Sequence, residues 1–223
     1  NCMKGLILAM SLLVCSWIVA GESPEYLKAI SARAERIVAP LEIESKDRRA
    51  RVHALVMDQY RWLHRVHHER DAELEKFDAK IDREKVLEIE EATDAKVNAR
   101  HATYVDSLAS ELTSRQVDAV KDGMTYGVVL LTYAGYLKML PELTKDQKTY
   151  IMAQLVEARE IAMDGGSSKE KHGWFGKYKG RINNYLSKAG YDLKAASKRV
   201  EAYEAARKAV VLEEYVFESA PFP

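Results

Sequence analysis

The chain has 223 residues, and its 34 basic and 34 acidic side chains leave a formal net charge of zero. A neutral chain has no overall electrostatic attraction to nucleic acid or to an anionic membrane surface, so any charge preference must be local. Both cysteines, Cys2 and Cys15, precede a predicted cleavage point near residue 21. We therefore expect no disulfide and no thiolate chemistry after cleavage, and about 200 residues suffice for one hydrophobic core.

The N-terminal segment has the pattern of a secretory signal peptide. Lys4 precedes an almost uncharged apolar run from Gly5 to Ala20, and small residues follow at Ala20-Gly21. The run is short for a membrane span and continues into acidic sequence. We predict a signal peptide over residues 1–21, export to the periplasm or the extracellular space, and no membrane span in the mature chain. A single helical domain is expected over 22–212, with a C-terminal tail over 213–223.

The first half of the mature chain predicts long helices. Ser23 followed by Pro24 is typical of a helix start, and Pro40 is expected to end that helix. No glycine or proline occurs between Pro40 and Gly123. Apolar residues then recur at steps of three and four, which is a helical period. They are Val52, Val56, Leu63, Val66, Leu74, Phe77 and Ile81, and the pattern resumes at Val97, His101, Tyr104 and Leu108.

That apolar stripe is too long for one ordinary helix, so we expect a break near Asp82–Glu91 or Thr93–Asp94. Capping boxes, in which two side chains satisfy first-turn amides, predict three later helix starts. They pair Thr113 with Gln116, Thr144 with Gln147, and Ser167 with Glu170. A kink is expected between Gly123 and Gly127. The fold class is therefore all-α, a multi-helix bundle with long N-terminal helices and a C-terminal helical half rich in glycine and aromatic residues.

Two of these helix starts resemble a known motif. Leu112-Thr113-Ser114-Arg115-Gln116 and Leu143-Thr144-Lys145-Asp146-Gln147 are similar to the Leu-Thr-x-x-Gln motif of the Spy/CpxP family of periplasmic chaperones. The resemblance implies a helical hairpin dimer that cradles unfolding clients. Helix capping by itself explains the same residues.

The segment from Asp164 to Tyr191 is the most distinctive part of the sequence. It interleaves aromatic rings and cations with five glycines between Gly165 and Gly180. Flat rings, charged donors and a flexible backbone together suit a surface that stacks on a ring-shaped ligand and hydrogen-bonds its edges. Only one acid, Glu170, accompanies the cations between Gly165 and Gly190, which indicates an acidic sugar or a phosphate.

A second resemblance covers more of the chain, from about Tyr26 to Leu193. The segments Gln116–Val129, Tyr133–Leu137 and Ala158–Leu193 resemble an uncharacterised family of secreted bacterial proteins that has been labelled sugar-binding. The resemblance implies an all-helical fold and association with carbohydrate, and it brings no established catalytic residues.

We therefore predict an exported carbohydrate-binding protein whose aromatic–basic surface lies around residues 164–191. Trp174, Tyr178 and Tyr126 are expected to stack on the sugar. Cations and amides are expected to hydrogen-bond its hydroxyl or carboxylate groups. These donors are Arg181, Lys177, Asn183, Asn184 and His172.

Several alternatives remain open at this stage. The helical spacing of Trp174, Tyr178 and Ile182 also suits simple core packing. An enzyme acting on a glycan would need an acid–base group, for which His172 with Asp164 is the candidate pair. A third alternative is a periplasmic chaperone of the Leu-Thr-x-x-Gln type. The long N-terminal helices leave room for a homodimer seam.

We predict no cofactor, no metal and no nucleic-acid partner. His64 and His68 lie one helical turn apart, as in some zinc sites, but a cation, Arg65, occupies the position where a zinc protease carries glutamate.

Overall fold

A computed structural model describes residues 23–218 of the chain, with side chains over residues 23–205. The predicted signal peptide lies outside the described residues. Eight α-helices and one short 3₁₀ turn account for most of the described chain, and this range contains no β-strand, which confirms the all-α prediction. The α-helices are α1 (Pro24–Val38), α2 (Lys46–Leu74), α3 (Arg83–Glu111), α4 (Ser114–Met124), α5 (Val128–Met139), α6 (Lys145–Ala162), α7 (Ser168–Lys188) and α8 (Leu193–Glu218).

The last described helix extends past the predicted start of the C-terminal tail. Helix α8 continues to Glu218, so the expected start of a tail at residue 213 falls inside a helix. None of the described helices combines the length and apolar character that crossing a membrane requires.

The predicted helix starts are confirmed by their capping contacts. The Ser23 side chain accepts from the Tyr26 amide, with Pro24 in the first helical turn. Complete capping boxes open α4 at Thr113 and α6 at Thr144. Their glutamines also make contacts beyond the cap. Gln116 donates to the Leu41 carbonyl, and Gln147 accepts from the Tyr191 hydroxyl. Both Leu-Thr-x-x-Gln segments therefore have a structural role, in capping a helix and in contacting a distant part of the chain.

The third predicted box is only half formed. Ser167 accepts from the Glu170 amide at 3.1 Å, as expected. The Glu170 carboxylate, however, accepts from the Gly166 amide at 2.8 Å and not from the Ser167 amide. Glu170 also accepts from Arg70 of α2, and this contact ties the start of α7 to the N-terminal helices.

The long apolar stripe is interrupted as predicted, but the break lies earlier than expected and reaches the predicted range only at Asp82, which directly precedes α3. Helix α2 ends at Leu74 and α3 begins at Arg83, so α3 runs without interruption through Glu91 and Thr93–Asp94. The break falls where acidic side chains capture backbone amides. Asp82 accepts from the Asp78 amide, and Asp78 accepts from the Lys80 amide. Such local bonds compete with helical hydrogen bonds.

Two hydrophobic clusters organise the fold. The first comes mainly from α1 to α4 and contains Val56, Leu108 and Met124. The second comes from α5 to α8 and contains Leu155, Phe175 and Ile182. The clusters meet along two short connections, residues 125–127 between α4 and α5 and residues 163–167 between α6 and α7. The candidate site lies at this seam.

The expected kink between Gly123 and Gly127 is a complete helix boundary. Tyr126 and Gly127 both have a positive φ, 61° and 67°, which stops α4 and redirects the chain into α5. Gly123 is needed for another reason, because a Cβ atom there would lie 2.8 Å from Ile37 Cγ1. Its absence lets α4 approach α1 closely.

The glycine-rich segment has regular structure, contrary to the expected flexible backbone. Gly173, Gly176 and Gly180 lie inside the 21-residue helix α7. A Cβ atom at any of the three would meet no atom within 4 Å. The buried face of α7 is formed by larger residues at helical spacing, namely Lys171, Phe175, Tyr178, Ile182 and Leu186.

Candidate functional site

The segment Asp164–Gly166, between α6 and α7, separates two clefts. The first, which we call the histidine cleft, has a volume of about 580 Å³ and lies among α2, α3, α6 and α7. The second, the basic cleft, has a volume of about 360 Å³ and lies among α1, α2, the end of α4 and the start of α7. Gly165 lines both clefts.

The two clefts differ in charge. The histidine cleft has both acidic and basic walls, with Arg70, Asp94, Asn98, His101, Glu160, Glu170 and Trp174 among its lining residues. The basic cleft is lined by cations, hydroxyl groups and aromatic rings, including Tyr26, Arg33, Arg36, Tyr60, Tyr126, Ser168 and Lys171. This division places different chemistry on the two sides of one short segment.

Asp164 is the central group of the histidine cleft. The residue is 6% exposed, and each carboxylate oxygen has a partner. Oδ1 accepts from Gln59 Nε2 at 3.2 Å, and Oδ2 lies 2.6 Å from His101 Nδ1. The backbone carbonyl of Asp164 accepts from His67 Nε2 at 2.7 Å. Asp164 therefore links α2, α3 and α6 through its own hydrogen bonds.

The network continues behind Asp164. Gln59 is fully buried, and its Oε1 accepts from Arg100 Nε at 2.9 Å. Arg100 also binds Asp58 at 2.5 Å. Because Gln59 Nε2 donates to Asp164 and Gln59 Oε1 accepts from Arg100, the amide of Gln59 has one orientation in which both its groups are satisfied. The Asp164 carboxylate is held by Gln59, and in turn it sets the orientation of the His101 ring.

Gly166 permits a close backbone approach in this region. A Cβ atom at Gly166 would lie 2.5 Å from His67 Cγ, so any other residue would collide with the imidazole ring. The ring packs against the glycine because Nε2 of His67 donates to the Asp164 carbonyl two residues earlier. Nδ1 of His67 is buried, and no partner for it occurs in the part of the chain with described side chains.

Both ring nitrogens of His101 face carboxylates. Nδ1 contacts Asp164, and Nε2 lies 3.7 Å from Glu160 Oε2. Lys121 binds the same Glu160 oxygen at 2.6 Å. The hydrogen bond to Asp164 raises the pKa of His101 above its usual 6.5, against the opposing effect of burial. His101 therefore holds its proton more strongly than an exposed histidine does, while its ring remains at the cleft wall.

This arrangement predicts a pH-dependent contribution to stability. Because the folded-state pKa of His101 is raised, its contribution is fully present below the ordinary pKa of 6.5 and is lost as pH rises through the folded-state value. We expect His101→Gln to lower the free energy of unfolding by about 1 kcal/mol more at pH 5.5 than at pH 9. Urea unfolding of both proteins at the two pH values measures the difference, and an equal loss at both would contradict the assigned pairing.

The structure separates the eight residues predicted to form one ligand surface. Tyr126 lines the basic cleft, and the His172 ring stacks on it at 5.5 Å between centroids. Trp174 lines the histidine cleft on the other side of Gly165, and the Lys177 ammonium lies 4.7 Å from the centre of its ring. Of these four residues only Tyr126 and Trp174 line a cleft, and they line different ones, whereas His172 and Lys177 pack on their rings.

The other four predicted residues lie outside both clefts. Tyr178 is 2% exposed, and its hydroxyl donates to Glu157, so its ring is part of the core and has no free face for stacking. The Arg181 guanidinium lies over the Tyr178 ring at 4.3 Å. Asn183 accepts from the Tyr136 hydroxyl, and Asn184 is exposed farther along α7. A regular helix spreads these side chains around its axis.

Asp164 pairs with a different histidine from the one predicted. Sequence reasoning placed it beside His172 across the two glycines, but His172 lies against Tyr126 and Asp164 contacts His101 of α3. Residues 101 and 164 are far apart in sequence, so local spacing could not identify the pair. Two polar residues within apolar stripes, Gln59 and His101, were the available signal of a buried polar network.

His64 and His68, the two histidines one helical turn apart, make aromatic ring contacts in the structure. The His64 ring packs at 4.5 Å from the Tyr26 ring and at 6.0 Å from the His68 ring. Among the described residues, no group of three or more histidine, cysteine or acidic side chains has an arrangement suited to a metal ion.

One protein family has a sequence model that matches most of this chain. The model of the family described as "Protein of unknown function (DUF3826)" matches residues 27–209, which include most of α1, every lining residue of the two clefts except Tyr26, and much of α8. No curated protein matches the chain. Because the family match covers well over half of the sequence, the chain belongs to the DUF3826 family of proteins of unknown function.

Proposed function

We propose that the protein binds carbohydrate, and that a sugar ring lies in the histidine cleft against Trp174. The observation that carries this proposal is the composition of the cleft wall. A half-buried indole ring stands beside carboxylates, an amide and an imidazole in a volume of about 580 Å³. Sugar rings have apolar C–H faces that pack on indole and hydroxyl groups that both donate and accept hydrogen bonds.

The charges of this cleft favour a neutral sugar. Asp94, Glu160 and Glu170 outnumber Arg70, the one arginine in the described lining, so they would repel an anionic group, whereas hydroxyl groups donate readily to carboxylates. Asn98, exposed on α3, offers both a donor and an acceptor. The ligand surface proposed from this geometry therefore lies between α7 and the N-terminal helices, and not along the outer face of α7 around residues 164–191.

Thermal unfolding with a panel of neutral and acidic oligosaccharides tests the proposal. A ligand present at about one hundred times its dissociation constant adds roughly 2.7 kcal/mol to the free energy of unfolding, a shift of several degrees. We expect such a shift with one class of neutral sugar. Absence of a shift across the panel would overturn the proposal.

Matched variants locate the site. Asn98→Ala should abolish or strongly reduce the shift, whereas Asn184→Ala, which removes an exposed amide from α7 outside both clefts, should retain it. Trp174→Ala is compared in the same way with Tyr185→Ala, because Tyr185 packs on Tyr150 away from the cleft. Equal loss in a cleft variant and its control would place the sugar elsewhere.

A second candidate function is acid–base catalysis on the bound glycan. The pairing of His101 with a buried carboxylate at 2.6 Å favours it, because such a partner orients an imidazole for proton transfer. Release of reducing ends from a bound oligosaccharide is the assay. Under this hypothesis His101→Gln would abolish product release and leave the thermal shift in place. Binding without product in the unaltered protein would restrict the function to recognition.

A further inference from the structure

The basic cleft carries an unusual excess of positive charge. Arg33, Arg36 and Lys171 line it, and no carboxylate occurs among its described lining residues. The remaining wall contains three tyrosines and the two serines that begin α7. Cations gathered in a concave surface without counter-charges raise the local potential and attract anions.

Among the described side chains, Arg33 and Arg36 have no ion-pair partner. They lie three residues apart on α1, so both guanidinium groups extend from the same side of the helix. Both side chains are exposed, and neither forms a salt bridge within residues 23–205. By contrast, Arg49 and Arg51 of the neighbouring helix α2 each bind a glutamate. The donors of Arg33 and Arg36 are therefore free to bind a ligand bidentately.

Lys171 is a buried cation at the base of the same cleft. Its side chain is 5% exposed, and Nζ donates to the carbonyl groups of Met124 and Met163 at 3.1 and 2.9 Å. An ammonium group has three N–H donors, so one remains beyond these two contacts. Burial lowers the pKa of Lys171 to about 8. A buried charge without a directly bonded counter-charge is costly, and an anion in the cleft would offset that cost.

The chain around the cleft adds donors and a strained residue. Helix α7 begins at Ser168, and the positive end of its dipole faces the region that Ser167 and Ser168 line. Tyr126 adopts a positive φ of 61° with its side chain 51% exposed. An aromatic residue rarely adopts this conformation, and such outliers concentrate at binding sites. Here it places the ring at the cleft wall.

We propose that the basic cleft is a binding site for an oxyanion, namely a carboxylate, sulfate or phosphate group. Arg33 and Arg36 bind the anion from α1, and Lys171 binds it from the base of the cleft. The group belongs either to an acidic sugar or to a free ion, and both sources present the same oxygen atoms. This site is separate from the histidine cleft, and it does not depend on whether a neutral sugar binds there.

Calorimetric titration of the chain with three probes tests the proposal. The probes are galacturonate, inorganic sulfate and inorganic phosphate, each titrated at constant ionic strength maintained with sodium chloride. We expect saturable binding of at least one. Binding of galacturonate alone assigns the site to an acidic sugar, whereas preferential binding of an inorganic anion assigns it to a free ion. If none of the three binds saturably, the proposal is overturned.

Charge-matched variants locate the anion. Arg33→Gln and Arg36→Gln should each weaken binding by about tenfold, as expected for loss of a charge-assisted hydrogen bond. Lys28→Gln removes one positive charge from the same helix outside the cleft and should leave the affinity unchanged. A similar loss in all three variants would indicate a non-specific charge effect and would contradict the assigned site.

A separate readout follows Lys171 itself. Its pKa, measured by NMR of the ammonium group, should rise when the anion binds, because a nearby negative charge favours the protonated form. An unchanged pKa at saturating anion would place the ligand away from Lys171.

Because the arginine variants lie on exposed positions, their circular dichroism and thermal unfolding should match those of the unaltered chain. Asn98→Ala in the histidine cleft should leave anion binding intact, which keeps the two sites distinguishable.

Discussion

Asp164→Ala should lower the free energy of unfolding by about 3 kcal/mol, one of the largest effects of any single substitution at the seam. The carboxylate accepts from Gln59 and contacts His101 at 2.6 Å. No other carboxylate could replace it, because the next one near His101, that of Glu160, lies 3.7 Å from Nε2. Gln59 is fully buried, so its freed amide donor would remain without water or partner. Loss of one member of a buried polar group costs the desolvation energy of the groups left behind. Urea unfolding at pH 6 measures the change.

Two further variants separate this network from the pairing suggested by sequence spacing. His172→Ala should change the free energy of unfolding by less than about 1 kcal/mol, because His172 is exposed and only stacks on Tyr126. Asp164→Asn keeps the shape and one acceptor, so it should be less destabilising than Asp164→Ala, and it should lower the pKa of His101 measured by NMR. A His101 pKa that does not respond to Asp164→Asn would show that Asp164 does not control this histidine.

Gly166→Ala should lower the free energy of unfolding by about 2 kcal/mol. The new Cβ would lie 2.5 Å from His67 Cγ and 2.7 Å from His67 Cβ, and the His67 ring is fixed by its bond to the Asp164 carbonyl. Relief of the collision therefore requires either a shift of the diglycine segment or loss of that hydrogen bond. Because this segment forms the wall between the two clefts, the substitution should also weaken both proposed ligand interactions.

Gly176→Ala is the matched control, and its expected effect has the opposite sign. Gly176 lies inside α7, and a Cβ there meets no atom within 4 Å. Alanine should therefore raise the free energy of unfolding by about 1 kcal/mol, through lower backbone entropy of the unfolded chain and higher helix propensity. Thermal unfolding of both variants makes the comparison. Destabilisation by Gly176→Ala would mean that this face of α7 packs against something outside the described chain.

Most of the fold could be predicted because its signals are local. The boxes at Thr113 and Thr144 mark helix starts through contacts within four residues, and Ser23-Pro24 does the same for α1. The break between α2 and α3 was misplaced because the relevant signal, Asp78 and Asp82 binding nearby amides, lies in a stretch without glycine or proline. Turn formation by aspartate competes closely with helix, and periodicity alone does not resolve that competition.

The candidate site was predicted only in part. Two predicted residues line clefts, Trp174 the histidine cleft and Tyr126 the basic cleft, and His172 stacks on Tyr126. Trp174 and His172 both belong to the glycine-rich helix α7, which places them on different sides. Arg33 and Arg36 were not identified, because nothing in the sequence of α1 distinguishes unpaired arginines from solvated ones. Lys171 was included only in a count of cations, whereas its importance comes from burial against two carbonyl groups.

The sequence by itself determined the all-α class and most of the helix starts, because capping and helical period act over a few residues. It also indicated that a distinctive segment begins at Asp164–Gly166, because the placement of glycines is visible in the sequence. Only the tertiary structure decided which distant groups meet. It paired Asp164 with His101 across 63 positions and brought Arg33 beside Lys171 in one cleft. Such pairs depend on how two hydrophobic clusters pack against each other, and packing is a property of whole helices that no local pattern specifies.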